Sequence, residues 1–406
     1  MSSTVYAVLN DLCLHDKDSP ITGTTYDANQ WVKSFYELLL LAQDEGAFSF
    51  SGSVDTYFRY NFNSRNRFFA NDDNVLAPDA PATSFANAPG FGLGMVNLIA
   101  AYEGEKVGFV ADLVYGPRGA DAVFNSGGSA SIVNQLYVYY NVSDAVTLTL
   151  GNFNTFLGYE VISPTGNFNY STSYMFSYGP FSHTGLKADF VLSDGFSAML
   201  SVMNPTDLTE LNPFGTYTLG AQLGYDNDGT SAYLNFLYGD QDGSLNEDFP
   251  TNFGGVSAGA TFQADLTAGF DLSDEFYLGV NTTINTTGTG EIISGGDIQD
   301  LDGDNSGFYG AAIYAQYATS ETLSFGVRGE YFSEFNGGVG ALPTNLDPNG
   351  DASVIDLTLS SNIAVGNLTF IPEIRLDAVS EDTYINRDFE AQPSLISFLF
   401  AAVYSF

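Results

Sequence analysis

From Ala47 onward, apolar side chains recur at every second position. In TFQADLTAGF (261–270), Phe262, Ala264, Leu266, Ala268 and Phe270 share one face, while Thr261, Gln263, Asp265 and Thr267 share the other. SAYLNFLYG (231–239), FGVRGEYF (325–332) and LKADFVLS (186–193) alternate in the same way. A period of two is the strand template. It predicts sixteen strands, at 47–61, 91–103, 106–116, 130–141, 145–153, 184–193, 196–204, 215–226, 230–239, 258–271, 275–286, 306–319, 322–333, 351–364, 367–379 and 394–406. Soluble strands average about 5–6 residues, whereas a tilted strand needs about 9–11 to cross a bilayer, and most of these segments meet the second requirement.

The connections carry more information than the strands. Seven are short and rich in Gly, Asp, Asn and Ser, among them NVSDA (141–145), SDG (193–195) and DNDG (226–229). The other eight are long: 62–90, 117–129, 154–183, 205–214, 240–257, 287–305, 334–350 and 380–393. Short and long alternate throughout, so one end carries tight turns and the other carries loops. That sorting predicts an all-β fold, a transmembrane antiparallel up-and-down β-barrel of about 16 strands in the bacterial outer membrane, with short periplasmic turns and long external loops. The uncharged ending SLISFLFAAVYSF (394–406) is then the closing strand. Ile396, Phe398, Phe400, Ala402, Tyr404 and Phe406 should face lipid, and the strand should pair with 47–61, leaving no open edge. Phe406 with Tyr404 two before it also resembles the C-terminal signature read by bacterial barrel-assembly machinery, an expected partner beside outer-membrane lipid.

Composition narrows the picture. Lys and Arg number 11 against 48 Asp and Glu, a formal net charge of −37. Such a field repels nucleic acid. Aromatics at 15% and hydrophobic residues at 44% exclude a disordered acidic chain. Cys13 is the single cysteine, so there is no intramolecular disulfide. No apolar run is long enough for a membrane helix. Residues 1–46 form a segment apart from the barrel at 47–406. Within it, WVKSFYELLLLAQ (31–43) reads as a degenerate signal-like core, interrupted by Glu37 and with Leu40 poorly suited to cleavage. Either translation starts further downstream, or this is a short helix retained in the mature chain.

If the apolar phase faces lipid, the other phase faces the lumen. That phase holds Arg59, Lys106, Lys187, Arg328 and Arg375, with Asp55, Asp112, Asp189, Asp265, Glu330, Asp356, Glu373 and Asp377. A cation at the lipid midplane costs about 2–4 kcal/mol, which explains the sorting. Pairs at i, i+2, such as Lys187/Asp189 and Arg328/Glu330, are either salt bridges that hold the wall or a charge pattern that selects solutes. Sixteen strands enclose an aqueous channel, so a constriction is expected. The connection 154–183 is nearly uncharged and rich in aromatics. It is expected to fold inward, with Glu160, Asn167, Tyr170, Tyr174, Tyr178 and His183 as constriction residues; the alternative is a surface loop packed on its own side chains.

This stretch also carries a family resemblance. GNFNTFLGYEVISPTGNFNYSTSYMFSYGPFSHTG (151–185), with Gly158-Tyr159-Glu160, Asn167 to Tyr170 and Pro180 to Gly185, resembles the shared core of OmpL-like beta-barrel porins of Bacteroidetes. The resemblance extends from about residue 47 to the C-terminus and implies an outer-membrane porin.

Other chemistry is sparse. Asp300, Asp302 and Asp304, with Ser306, resemble the first half of a calcium loop. The Gly stands at the fourth place, however, and no Glu stands at the twelfth, so an acidic turn is the expected reading and weak calcium binding the alternative. No G-x-S-x-G or ordered Ser-His-Asp set is present, and His183 is the barrel's one imidazole. An Asp55/Glu373 pair is the remaining acid–base candidate, and catalysis is not expected. The expected function is passive diffusion of small hydrophilic solutes, cation-preferring because eight inward acids face five bases. The rivals are a saccharide channel over the loop aromatics and a closed barrel serving as adhesin or anchor. By analogy with large porins, a homotrimer is expected.

Overall fold

The computed structural model describes residues 46–70, 75–241, 259–288, 305–342 and 346–406. Sixteen antiparallel strands close into one barrel. They are β1 (Gly46–Asn61), β2 (Gly90–Gly104), β3 (Val107–Tyr115), β4 (Val133–Ser143), β5 (Val146–Asn154), β6 (Ser182–Ser193), β7 (Phe196–Met203) and β8 (Thr218–Asn227). The second half comprises β9 (Thr230–Gly239), β10 (Thr261–Asp271), β11 (Phe276–Thr287), β12 (Ser306–Ser320), β13 (Leu323–Phe335), β14 (Ala352–Val365), β15 (Leu368–Val379) and β16 (Ser394–Ser405). Each strand pairs with its sequence neighbours, and β16 returns to β1. The strand count, alternation of connections and closing strand all match the sequence reading.

The seam shows why the chain ends as it does. Tyr57 pairs with Ala401 and Phe58 with Phe400. Gly52 and Phe406 exchange both backbone hydrogen bonds at 3.0 Å, so pairing continues to the last residue. Outward residues such as Phe50, Phe91, Leu150, Leu200, Ile313 and Phe400 are exposed. In water that face would be costly; in lipid it has no such cost.

The lumen is not an empty tube. The connection 155–181 folds inward and carries a short helix, α2 (Tyr174–Tyr178), while α1 (Pro117–Ala122) follows β3. The inward faces of β12–β16 are apolar at their loop ends. Phe308, Phe332, Val354, Val379 and Leu395 pack with Tyr174 and Met175 of α2 and with Leu342 of a second loop. This is a soluble-type core enclosed by a membrane barrel.

Candidate functional site

The inward loop sits in sockets cut into the wall. A Cβ at Gly326 would stand 2.3 Å from the Phe168 ring, and one at Gly279 would stand 2.5 Å from the Tyr159 hydroxyl. Any larger residue there would force the aromatic or the wall to shift. The β1–β2 ladder is irregular between Val54 and Thr56, and Asp55 fills the space over Gly94. From there the Asp55 carboxylate accepts the Met95 N–H at 3.0 Å and the hydroxyl of Tyr170.

A chain of alternating charges on β13, β14 and β15 fixes the loop to the wall. Glu160 meets Arg328 at 2.7 Å, Arg328 meets Asp356 at 3.2 Å, Asp356 meets Arg375 at 2.7 Å, and Arg375 meets Asp377 at 2.7 Å. Both guanidinium groups also donate to loop carbonyls. Arg328 reaches Ser171 O at 2.7 Å and Arg375 reaches Thr172 O at 2.8 Å. The carboxylates receive loop N–H groups in return. Glu330 accepts from Tyr174 at 2.8 Å and Met175 at 2.7 Å, Glu373 accepts from Tyr170 at 3.0 Å, and Glu160 accepts from Ser173 at 2.6 Å. Tyr174 Oη donates to Asp377 at 3.0 Å. Each charge in this network thus has a counter-charge or several donors, the condition under which burial is tolerated.

This arrangement places the sequence candidates individually. Asp55, Arg59, Asp112, Asp265, Arg328, Glu330, Asp356, Glu373, Arg375 and Asp377 lie on the inward face but are buried. Asp112 accepts from Asn97, Asn134 and Gln135, and Asp265 accepts from Gly158, Asn235 and Asn281. Arg59 donates to Asn87 O at 2.7 Å. Lys187 and Asp189 pair at 3.2 Å with 25% and 39% of their side chains exposed. Lys106 differs from the sequence reading. It is exposed in the tight turn after β2, because the strand ends before reaching it. Within the loop, Tyr170 and Tyr174 are fully buried, and Tyr178 donates to Ala82 O at 2.7 Å. Asn167 closes the loop on itself through Val161 and does not bond to the wall. His183 is a buried wall residue on β6, with Nε2 2.9 Å from Thr155 Oγ1. Asp55 and Glu373 both bind Tyr170 rather than an open site. Asp300, Asp302 and Asp304 lie outside the described residues, as does the 1–45 segment.

Three groups escaped the sequence reading. Arg118 of α1 donates to Ile162 O at 2.8 Å and lies over the Phe85 ring at 4.4 Å, clamping the loop from the β2–β3 side. Glu334 accepts from Leu342 at 2.8 Å and Ala341 at 3.1 Å, tying a second loop inward. Asp207, in the connection 204–217, accepts from Phe181 at 2.7 Å and Ser182 at 2.9 Å. Burial pushes its carboxyl up to about 6 despite those two bonds. An isolated Arg in a long connection, or apolar residues on both strand phases as in Phe308-Tyr309 and Tyr331-Phe332, is the signal that would have found this packing.

A sequence profile of the family described as "Putative beta-barrel porin-2, OmpL-like" matches residues 47–406. The chain belongs to this family. It is therefore a porin of the bacterial outer membrane. Comparison with curated proteins finds no match. Among solved structures, the fold is similar to the in-vitro folded trimer form of OmpT from Vibrio cholerae, at 10% identity and TM-score 0.53, covering 89% of this chain and 100% of that one. It is similar to the outer membrane channel DcaP of Acinetobacter baumannii, at 12% identity and TM-score 0.52, over 89% and 98%. OprB of Pseudomonas putida matches at 12% identity and TM-score 0.52, over 93% and 97%. These likenesses concern the fold of the porin alone.

Proposed function

We propose that this porin passes small hydrophilic solutes by passive diffusion, with residues 155–181 as its constriction and a preference for cations. The observation that carries the preference is the excess of acid: Asp and Glu number 48 against 11 Lys and Arg, and in the partly exposed inward pair Asp189 is 39% exposed against 25% for Lys187. Fixed negative charge beside a narrow passage concentrates cations and repels anions. In this reading the route runs past Lys187 and Asp189, an inward ion pair that stays partly exposed. The burial of Tyr170 and Tyr174 argues against a saccharide track on those rings. The reading extends to a homotrimer, on the trimer form of the OmpT neighbour, and to assembly through the Tyr404–Phe406 terminus.

Conductance of the refolded chain in a planar bilayer under a KCl gradient tests it. Stepwise current with a reversal potential of cation sign is expected. A reversal potential of anion sign overturns the preference. A folded, inserted and silent barrel overturns the pore and leaves a loop-borne anchor or adhesin.

A further inference from the structure

The external end of the β1–β16 seam carries a feature that the pore does not use. Lys and Arg number only 11 in this chain, yet Arg65, Arg67 and Arg387 line one pocket of about 450 Å³ with Tyr60, Phe69 and Phe389. Arg65 is 8% exposed, and its Nε and Nη1 are buried without a hydrogen-bond partner among the described residues. Its Nη2 makes only a long bond to Ala77 O at 3.4 Å and stands 4.0 Å from Asp79 Oδ1. Asp79 is already engaged through Oδ2, by Ser64 and by the Ile385 N–H. A buried guanidinium with orphaned donors is a site short of an acceptor.

The surroundings are built rather than incidental. The Phe389 ring lies 5.4 Å from the Arg65 guanidinium and 4.6 Å from the Phe69 ring. Phe389 adopts φ 67, a left-handed conformation that aromatic residues rarely take. The Asn386 side chain holds that turn by accepting from Asp388 at 2.8 Å and Glu390 at 2.9 Å. Arg387 donates to Tyr60 Oη at 3.0 Å and Asn61 O at 3.3 Å. Tyr60 sits across from Phe398 on the lipid face of β1, near the strand's loop end. Phe62 is exposed beside it, its ring 5.7 Å from that of Tyr60. The pocket thus joins guanidinium groups to lipid-facing aromatic side chains at the loop end of the seam.

We propose that this pocket binds the phosphate of an outer-leaflet glycolipid. Guanidinium groups suit phosphate oxygens through charge-assisted bonds, and Tyr60 with its aromatic neighbours receives the sugar and upper acyl region. The acidic remainder of the chain repels such a headgroup, so the three arginines are what makes contact there favourable.

The test uses the full chain refolded in detergent and titrated with bisphosphorylated lipid A, with its dephosphorylated form and with inorganic phosphate, binding being read by native mass spectrometry. The phosphorylated lipid is expected to bind at least about tenfold tighter than the dephosphorylated one, the factor that one charge-assisted bond supplies. The Arg65→Gln/Arg387→Gln variant should lose that preference. Arg67→Gln, at an exposed position that leaves folding intact, should lower it several-fold. Heat-modifiable mobility confirms that each variant is folded. Equal binding of the two lipids, or unchanged preference in folded variants, overturns the proposal. Inorganic phosphate bound as tightly as the lipid also overturns it, leaving a free-phosphate site.

Discussion

The two sides of the lumen wall are built for opposite purposes. From β12 through β16 to β1, the inward face combines charges tied to the loop, as Arg328 and Arg375 are, with apolar residues packed against it, as Phe332 and Leu395 are. From β4 to β9 the inward face mixes Tyr137, Thr149, Ser201, Gln222 and Asn235 with Phe153, Met199, Met203 and Leu237, and carries the Lys187–Asp189 pair. The first side is a floor on which a constriction is folded. The second is a mixed surface whose ion pair is partly exposed and not tied to the loop. Inward charge on a barrel strand therefore does not by itself mean charge offered to solute; on one side of this wall it is structural.

The largest effect should come from breaking the floor. Arg328→Met leaves Glu160 and Asp356 facing each other without their shared cation, a loss of about 3–5 kcal/mol for a buried pair. The strand ladder does not depend on that side chain, so the barrel should persist while residues 155–181 leave the wall. Thermal unfolding should shift downward, and single-channel conductance should rise. Lower stability with unchanged conductance would mean that the loop does not limit the passage.

A smaller effect should come from filling a socket. Gly326→Val directs atoms into the Phe168 ring, and overpacking of this kind costs about 1–3 kcal/mol. Limited proteolysis of the folded barrel should then cut within the loop faster than in the parent. Gly329→Ala is the control, since nothing lies within 4 Å of the added Cβ. Equal cleavage of the Gly326 variant and the parent would show that the sockets do not hold the loop.

The same contrast explains what the sequence could reveal. Lipid imposes a strict rule on the outer face, so period two, sixteen strands and the closing strand at Phe406 could be read directly. The inner face obeys no such rule. Arg328 and Glu330 at i, i+2 look like a ladder along one strand, yet Arg328 pairs with Glu160 and Asp356 while Glu330 accepts the N–H groups of Tyr174 and Met175. Glu160 and Arg328 are 168 residues apart, and no periodicity encodes so distant a partner. The glycine sockets were equally silent, because Gly326 in a strand reads as a weak position until Phe168 is seen to fill it.

The smallest structural effect, and the sharpest test of the contrast, lies on the open side. Lys187 and Asp189 form a partly exposed pair, worth about 0–1 kcal/mol in stability, so Lys187→Gln and Asp189→Asn should leave unfolding almost unchanged. Their charges nevertheless stand beside the proposed route. Removing the lysine adds a net negative charge and should move the reversal potential further toward the cation value. Removing the aspartate should move it the other way. Glu373→Gln, a change of equal charge on the floor side, should move the potential less, because Glu373 is buried and already receives the Tyr170 N–H and the Ser360 hydroxyl. If the Glu373 variant shifted selectivity as much as the Asp189 variant, the passage would run along the floor, and the division of the wall into two roles would fail.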